Sequence, residues 1–197
     1  MSFQEDCALQ HLPVLLPSRR SFIAAVACGC AWPAALACAG AWPAAAAAPA
    51  RDPSSAEDER FMRLALDEAR QADFPFGAVI VRDGSVLTRG RNLGRTSRDP
   101  TAHGEMVAIR RCVADHGGAA LSGTTLYTSG EPCAMCMGAI LWSRIGRLVY
   151  AASVEQLATK LDQIMISSVD LAAKAPFARI SITGGVLADE AMQLFSR

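Results

Sequence analysis

The chain has 197 residues, a mass of 20.8 kDa, and 19 basic residues balanced by 19 acidic ones. That length accommodates one ordinary domain and little more, and with 51% apolar and 19% charged residues the composition excludes an intrinsically disordered chain. The composition is uneven: Ser21 to Ala50 is a run of 30 residues without a charged side chain, 15 of them alanine.

In chain order, the first feature is this run and what precedes it. Ser18-Arg19-Arg20-Ser21-Phe22-Ile23 sets an arginine pair directly before the apolar stretch, an arrangement that resembles a bacterial twin-arginine export signal. Phe22 to Trp32 provides the short apolar segment, and Ala46-Ala47-Ala48 or Ala48-Pro49-Ala50 the small residues that a signal peptidase reads. A retained membrane helix is the alternative, because 30 uncharged residues are long enough to span a bilayer. Alanine is only mildly apolar, however, and Pro33, Pro43 and Pro49 interrupt any single helix. The expectation is a cleaved signal peptide over residues 1–50 and a periplasmic or secreted domain over residues 51–197. Without Arg19, Arg20, Glu5 and Asp6 the mature part carries 17 residues of each sign. It offers no strongly basic face for a polynucleotide, apart from a local patch between Arg89 and Arg98.

Ser54-Ser55-Ala56-Glu57 has the spacing of a capping box, with Phe61, Leu64, Ala65 and Ala69 at helical intervals behind it. Residues 77–81 and 86–89 read as an antiparallel hairpin turned at Asp83-Gly84. Helical spacing returns from about Ala102 through Met106, Ile109 and Val113, and Gly117-Gly118 ends it. A third strand is expected over 124–128, a helix from Pro132 to about Arg144, and a fourth strand over 147–151. Another helical stretch, a last strand over 180–183 and a last helix over 188–195 complete the order. Alternating strands and helices predict a three-layer α/β/α sandwich on one mixed five-stranded sheet.

Four of the seven cysteines lie in the leader, so Cys112, Cys133 and Cys136 remain, an odd count that is no disulfide framework. Two motifs stand at expected helix starts, His103-Gly104-Glu105 and Pro132-Cys133-Ala134-Met135-Cys136. A Cys-x-x-Cys at a helix N-terminus puts both sulfurs on one face and favours thiolate, which suits a redox pair or a metal. His103 favours the metal: catalytic zinc takes three protein ligands and keeps one position for water, and His103, Cys133 and Cys136 make three. Residues two apart diverge inside a helix, so His103 and Glu105 converge only on an ion lying off the helix end. Glu105 is then the proton carrier and not a ligand, as in the zinc deaminase signature of His-x-Glu followed by Pro-Cys-x-x-Cys. Cys112 falls half a turn away from the ligand face and reads as a small buried apolar residue, and His116 as a solvated one.

On these motifs, and on the segments PFGAVIVRDG, RDPTAHGEMVAIR, LYTSGEPCAMCMGAILWSRIGRLVYAA and ITGGVLADEAM, residues 60–197 resemble the cytidine-deaminase-like superfamily, in its nucleobase and tRNA-adenosine branch. The resemblance implies a zinc-dependent hydrolytic deaminase, with Zn2+ as cofactor and a homodimer as its assembly. It also implies that Asn92 contacts substrate, that Trp142 lines a neighbouring copy's pocket, and that Asp162 reads the base. Without the resemblance, Asn92 reads as a turn residue and Trp142 as a packing residue. Phe76 reads as stacking on a ring or simply packing. The PFGA and Cys133 to Trp142 segments are similar to bacterial guanine deaminases, whereas SRIGRLVYAA and ITGGVLADEA are more similar to the tRNA enzyme. Gly104 stands where the family usually has alanine, and Gly130 is a second departure.

The leading expectation is therefore deamination of a free nucleobase, guanine to xanthine and ammonia, by an exported enzyme that does not act on nucleic acid. Adenosine-to-inosine deamination in tRNA is the alternative within the family. A Cys-x-x-Cys thiol oxidoreductase is the alternative from another class, and an inactive zinc-bearing binding module is a third.

Overall fold

The structure, a computed structural model, describes residues 55–196. The expected leader, its arginine pair and Ser54 lie outside the described residues. Among those described, no helix is long and apolar enough to cross a membrane.

Helix α1 spans Ala56–Arg70. Its capping box sits one residue later than the spacing predicts. Ser55 Oγ accepts from Asp58 N at 3.1 Å and Asp58 Oδ2 accepts from Ser55 N at 3.0 Å, so the shorter acidic side chain closes the box. The hairpin follows as β1 (Gly77–Arg82) and β2 (Ser85–Arg91), with Asp83 at φ 48° and Gly84 at φ 71° in the turn. These angles match the twist of a two-residue hairpin loop, for which the Asp-Gly pair is suited.

Helix α2 is Gly104–His116, β3 Thr125–Gly130, α3 Ala134–Trp142 and β4 Arg147–Ala152. The single helical stretch expected next is two short helices, α4 (Val154–Ala158) and α5 (Ser168–Ala173), joined by the loop 159–167. Strand β5 is Ser181–Gly184, and α6, Ala188–Gln193, runs into a 3-10 turn over Leu194–Ser196.

The five strands form one mixed sheet in the order β2-β1-β3-β4-β5. The β1 contacts to β2 and β3 are antiparallel, and β3, β4 and β5 run parallel. Strand alternation sends side chains to two cores. Ala78, Ile80, Leu126, Leu148 and Ile182 pack with Ala108, Ile109 and Cys112 of α2 and with Met137 and Ile140 of α3. Val79, Val81, Tyr127, Val149 and Ala151 pack on the opposite face against Phe61, Met62, Ala65 and Leu66 of α1 and Ala191 of α6. Near-continuous apolar β1 and β4 segments follow from burial on both faces, whereas β3 buries Thr128 and Ser129 toward its carboxyl end. The three-layer α/β/α sandwich on a mixed five-stranded sheet is thus the observed architecture.

Candidate active site

Two helix starts meet beyond the carboxyl end of β3. Helix α2 begins at Gly104, two residues after the expected start, and α3 at Ala134 instead of Pro132, which leaves His103 and Cys133 as the N-cap residues. Both have extended backbone, and neither side chain makes a capping hydrogen bond, so imidazole and thiol are directed away from their own helices. Cys136, buried in the first turn of α3, points back toward them.

Nδ1 of His103 stands 3.7 Å from the Cys133 sulfur and 3.6 Å from the Cys136 sulfur. All three ligand atoms lie within 4.8 Å of one another. A tetrahedral zinc ion with Zn–N near 2.05 Å and Zn–S near 2.3 Å separates its nitrogen and sulfur ligands by about 3.6 Å. The donor set and its spacing therefore fit zinc, with three protein ligands and one position open.

With no ion between them the three groups share protons, and only Cys133 is held as a thiolate. The Cys133 thiol is pushed down to about 4, first by the hydrogen bond it accepts from Cys136 and then by the one it accepts from His103, against an opposing effect of burial. The Cys136 thiol is pushed up, because it donates that bond and is buried. Its hydrogen bond to Cys133 raises His103, against burial, and the Glu105 charge adds to the effect. Glu105 is 3% exposed, and burial raises its carboxyl above the ordinary range. Thr128 Oγ1 on β3 donates to Glu105 Oε1 at 3.2 Å and orients the carboxylate.

A pocket of about 310 Å³ opens onto these groups, lined by His103, Glu105 and Cys133 at its floor and by Phe74, Phe76 and Asn92 at its wall. Leu161, Asp162, Gln163 and Ile164 of the 159–167 loop, together with Glu131, complete it, so no lysine or arginine is in the lining. Asn92 is buried; its Oδ1 accepts from Gly94 N at 3.0 Å, leaving the side-chain NH2 for a pocket ligand. Asn92 thus holds the turn and also lines the pocket. Asp162 is exposed at the mouth. Trp142 is not among the residues lining this pocket: at the end of α3 it is 75% exposed, its ring stacked on Phe177 with centroids 4.5 Å apart. Cys112 is buried in the core and His116 is exposed at the end of α2, as their spacing predicts.

Phe76 both lines the pocket and packs edge-on against Phe195, with centroids 5.2 Å apart. The two unusual glycines bracket it. A Cβ at Gly104 would stand 2.9 Å from the Phe76 carbonyl oxygen, and one at Gly130 would stand 2.9 Å from the Phe76 ring. Both positions are thus closed to any side chain while Phe76 keeps its place. Sequence reasoning singled out neither Phe74 nor the Glu131 carboxylate. A glutamate directly before Pro132-Cys133 was the available signal, but its hydrogen-bond partners lie 23 and 37 residues away.

Comparison with known proteins places this geometry. The cytidine and deoxycytidylate deaminase zinc-binding region matches residues 55–152. The guanine deaminase of Bacillus subtilis is 42% identical over 114 residues, which cover 55% of this chain and 73% of that protein. The tRNA-specific adenosine deaminase of Streptococcus pyogenes is 41% identical over 120 residues, covering 57% of this chain and 76% of that protein. The solved structure of a guanine deaminase from Nitrosomonas europaea superposes with a TM-score of 0.63 at 26% identity, covering 75% of this chain and 85% of that one. The matched region runs from α1 to the end of β4 and includes every residue that fits the ion, so the chain belongs to the cytidine and deoxycytidylate deaminase zinc-binding family and is a zinc-dependent hydrolytic deaminase.

Proposed function

We propose that the substrate is a free purine base, guanine first, converted with water to xanthine and ammonia. The observation that carries this reading is the pocket lining: a carboxylate, Asp162, stands at the mouth, and neither lysine nor arginine is among the lining residues to hold a phosphate. A carboxylate accepts from ring N–H groups, which free guanine has and an adenosine within RNA lacks, and it repels a phosphodiester backbone. The Asn92 amide, held by Gly94, supplies the complementary donor for a carbonyl oxygen. Phe74 and Phe76 offer apolar area to the ring.

His103, Cys133 and Cys136 would hold zinc, which would supply the activation of water at neutral pH. Glu105 takes a proton from the attacking water and delivers it to a ring nitrogen next to the carbon bearing the amino group. It then protonates the departing amine: the C–N bond breaks, ammonia leaves, and the carbon keeps the oxygen of water as a carbonyl. A carboxyl raised by burial suits a group that must both take and return a proton. On this reading Trp142 reaches the pocket of a second copy in a homodimer, and the leader over residues 1–50 directs twin-arginine export. Sequencing the mature N-terminus after cell fractionation checks the export; an unprocessed cytoplasmic chain rejects it.

The second reading, deamination of adenosine in tRNA, is favoured by the equal similarity to the Streptococcus enzyme and by Arg95, whose guanidinium lies 5.5 Å from the Phe74 ring centroid at the pocket wall. Incubating zinc-loaded protein with guanine, adenine, cytosine, their nucleosides and a tRNA anticodon arm, and measuring ammonia, separates the two. Release from guanine is expected; release from RNA alone rejects the free-base reading.

A further inference from the structure

Glu131 is 4% exposed, yet its carboxylate makes no ion pair with a described residue. Both of its oxygens accept backbone N–H groups, Oε2 from Val154 at 2.9 Å and Oε1 from Ser168 at 2.7 Å. Val154 and Ser168 are the first residues of α4 and α5. Each of these helices already has a serine cap: Ser153 Oγ accepts from Gln156 N and Ser167 Oγ from Asp170 N. The serines satisfy the N–H groups at the third helical position, and Glu131 takes those at the first.

A single carboxylate therefore fastens both flanks of the 159–167 loop, and that loop supplies Leu161, Asp162, Gln163 and Ile164 to the pocket. Glu131 itself stands two residues before Cys133, and its own N–H donates to Ala152 O at 2.7 Å at the end of β4. The loop that lines the pocket and the Cys133 thiol that also lines it are thus tied to the same short segment. We propose that Glu131 is a positioning residue that holds the 159–167 loop closed over the substrate pocket; the inference rests on the reading of this pocket as the base-binding site. An acceptor of two charge-assisted bonds keeps the loop ordered before substrate arrives, so that its ordering cost is not met on binding.

Glu131→Gln tests this directly, because the amide NH2 faces one backbone N–H where an acceptor is required. Ser168→Pro tests it from the other side. It removes one N–H at a first helical position, where proline is favoured, after a Ser167 already at ψ 154°. The Ser168 hydroxyl has no hydrogen-bond partner among the described residues, so no other bond is lost. With the zinc-loaded full chain, trypsin cleavage after Lys160 in the loop is timed by mass spectrometry, and KM and kcat are measured on the base that the ammonia panel identifies. In both variants we expect cleavage after Lys160 and KM each to rise about tenfold, with kcat within about threefold, as the loss of one bond to a charged acceptor implies. Wild-type cleavage rates, or a fall in kcat at unchanged KM, overturn the proposal. If Glu131→Gln does not fold, Ser168→Pro alone decides. Cleavage does not depend on substrate identity, so if no base in the panel reacts the substrate reading falls while the loop result stands.

Discussion

Glu105 and Gly104 are adjacent and make opposite demands on the first turn of α2. Glu105 needs to be buried, beside the ion and within reach of Thr128, at 3.2 Å. Replacing it with glutamine keeps size and packing but removes the proton acceptor. Glu105→Gln is expected to bind zinc in full stoichiometry while kcat for ammonia release falls roughly thousandfold, the usual contribution of a general acid–base group. Metal content by emission spectrometry and initial rates check this, and full activity would remove Glu105 from its role. Gly104→Ala gains up to about 1 kcal/mol of helix propensity. It also forces a Cβ to 2.9 Å from a backbone carbonyl, which cannot swing away as a side chain can. Crowding of this kind costs about 1–3 kcal/mol. A net loss of about 1 kcal/mol in urea denaturation is expected, together with a changed KM because Phe76 moves. Gly130→Ala meets the ring of Phe76, a side chain with rotational freedom, so its effect should fall more on KM than on stability.

Secondary-structure elements are joined by buried polar contacts as well as by the two cores. Asp58 closes the capping box of α1, accepts from Tyr127 Oη on β3 at 3.0 Å, and takes both guanidinium nitrogens of Arg147 on β4, at 2.6 and 2.9 Å. Arg147 continues to Thr183 of β5 at 3.0 Å. Burial alone would raise the Asp58 carboxyl, but Arg147, the Ser55 N–H and Tyr127 together hold it below the ordinary value of 3.8. Because the folded pKa is the lower one, the unfolded chain binds the proton first as pH falls. The stabilisation is thus fully present above the ordinary carboxylate range and is lost as pH drops through it toward the folded value. Asp58→Asn should destabilise the protein by about 3 kcal/mol at neutral pH, since it removes the buried charge that accepts two bonds from Arg147. The gap between variant and wild type in denaturant titrations should narrow on going from pH 7 into that acidic window. An equal gap at both would show that the capping box, and not the ion pair, is responsible.

For the protein as a whole, metal and fold are linked, because the ligands come from two helices that pack on the same face of the sheet. Zinc that binds only the folded state stabilises it by about 4 kcal/mol when free metal is roughly a thousand times Kd. Chelation should therefore lower Tm reversibly. Removal of the ion also exposes a Cys133 sulfur that is ionised from about pH 4 upward. Iodoacetamide at pH 6 should label Cys133 first in chelated protein, leave the buried Cys112 untouched, and label neither when zinc is present. Peptide mapping by mass spectrometry reads this, and labelling indifferent to zinc would break the link between the thiolates and the metal.

The parts of this molecule legible without coordinates are those written in local spacing: helices with an apolar stripe, a hairpin at Asp83-Gly84, and His103-Gly104-Glu105 and Cys133 to Cys136 at helix starts. The chemistry of a metal and a proton carrier follows from residue type once those starts are recognised, and even an error of two residues at each start leaves the ligand set unchanged. What the linear order could not show depends on contacts between distant segments. Glu131 joins the starts of α4 and α5, Gly104 and Gly130 close around one phenylalanine, and Trp142 faces outward, away from the pocket of its own chain. Spacing encodes which face a side chain occupies, because backbone periodicity is local. Which partner it meets there is set by packing of the sheet and its two helical layers, which brings together residues dozens of positions apart.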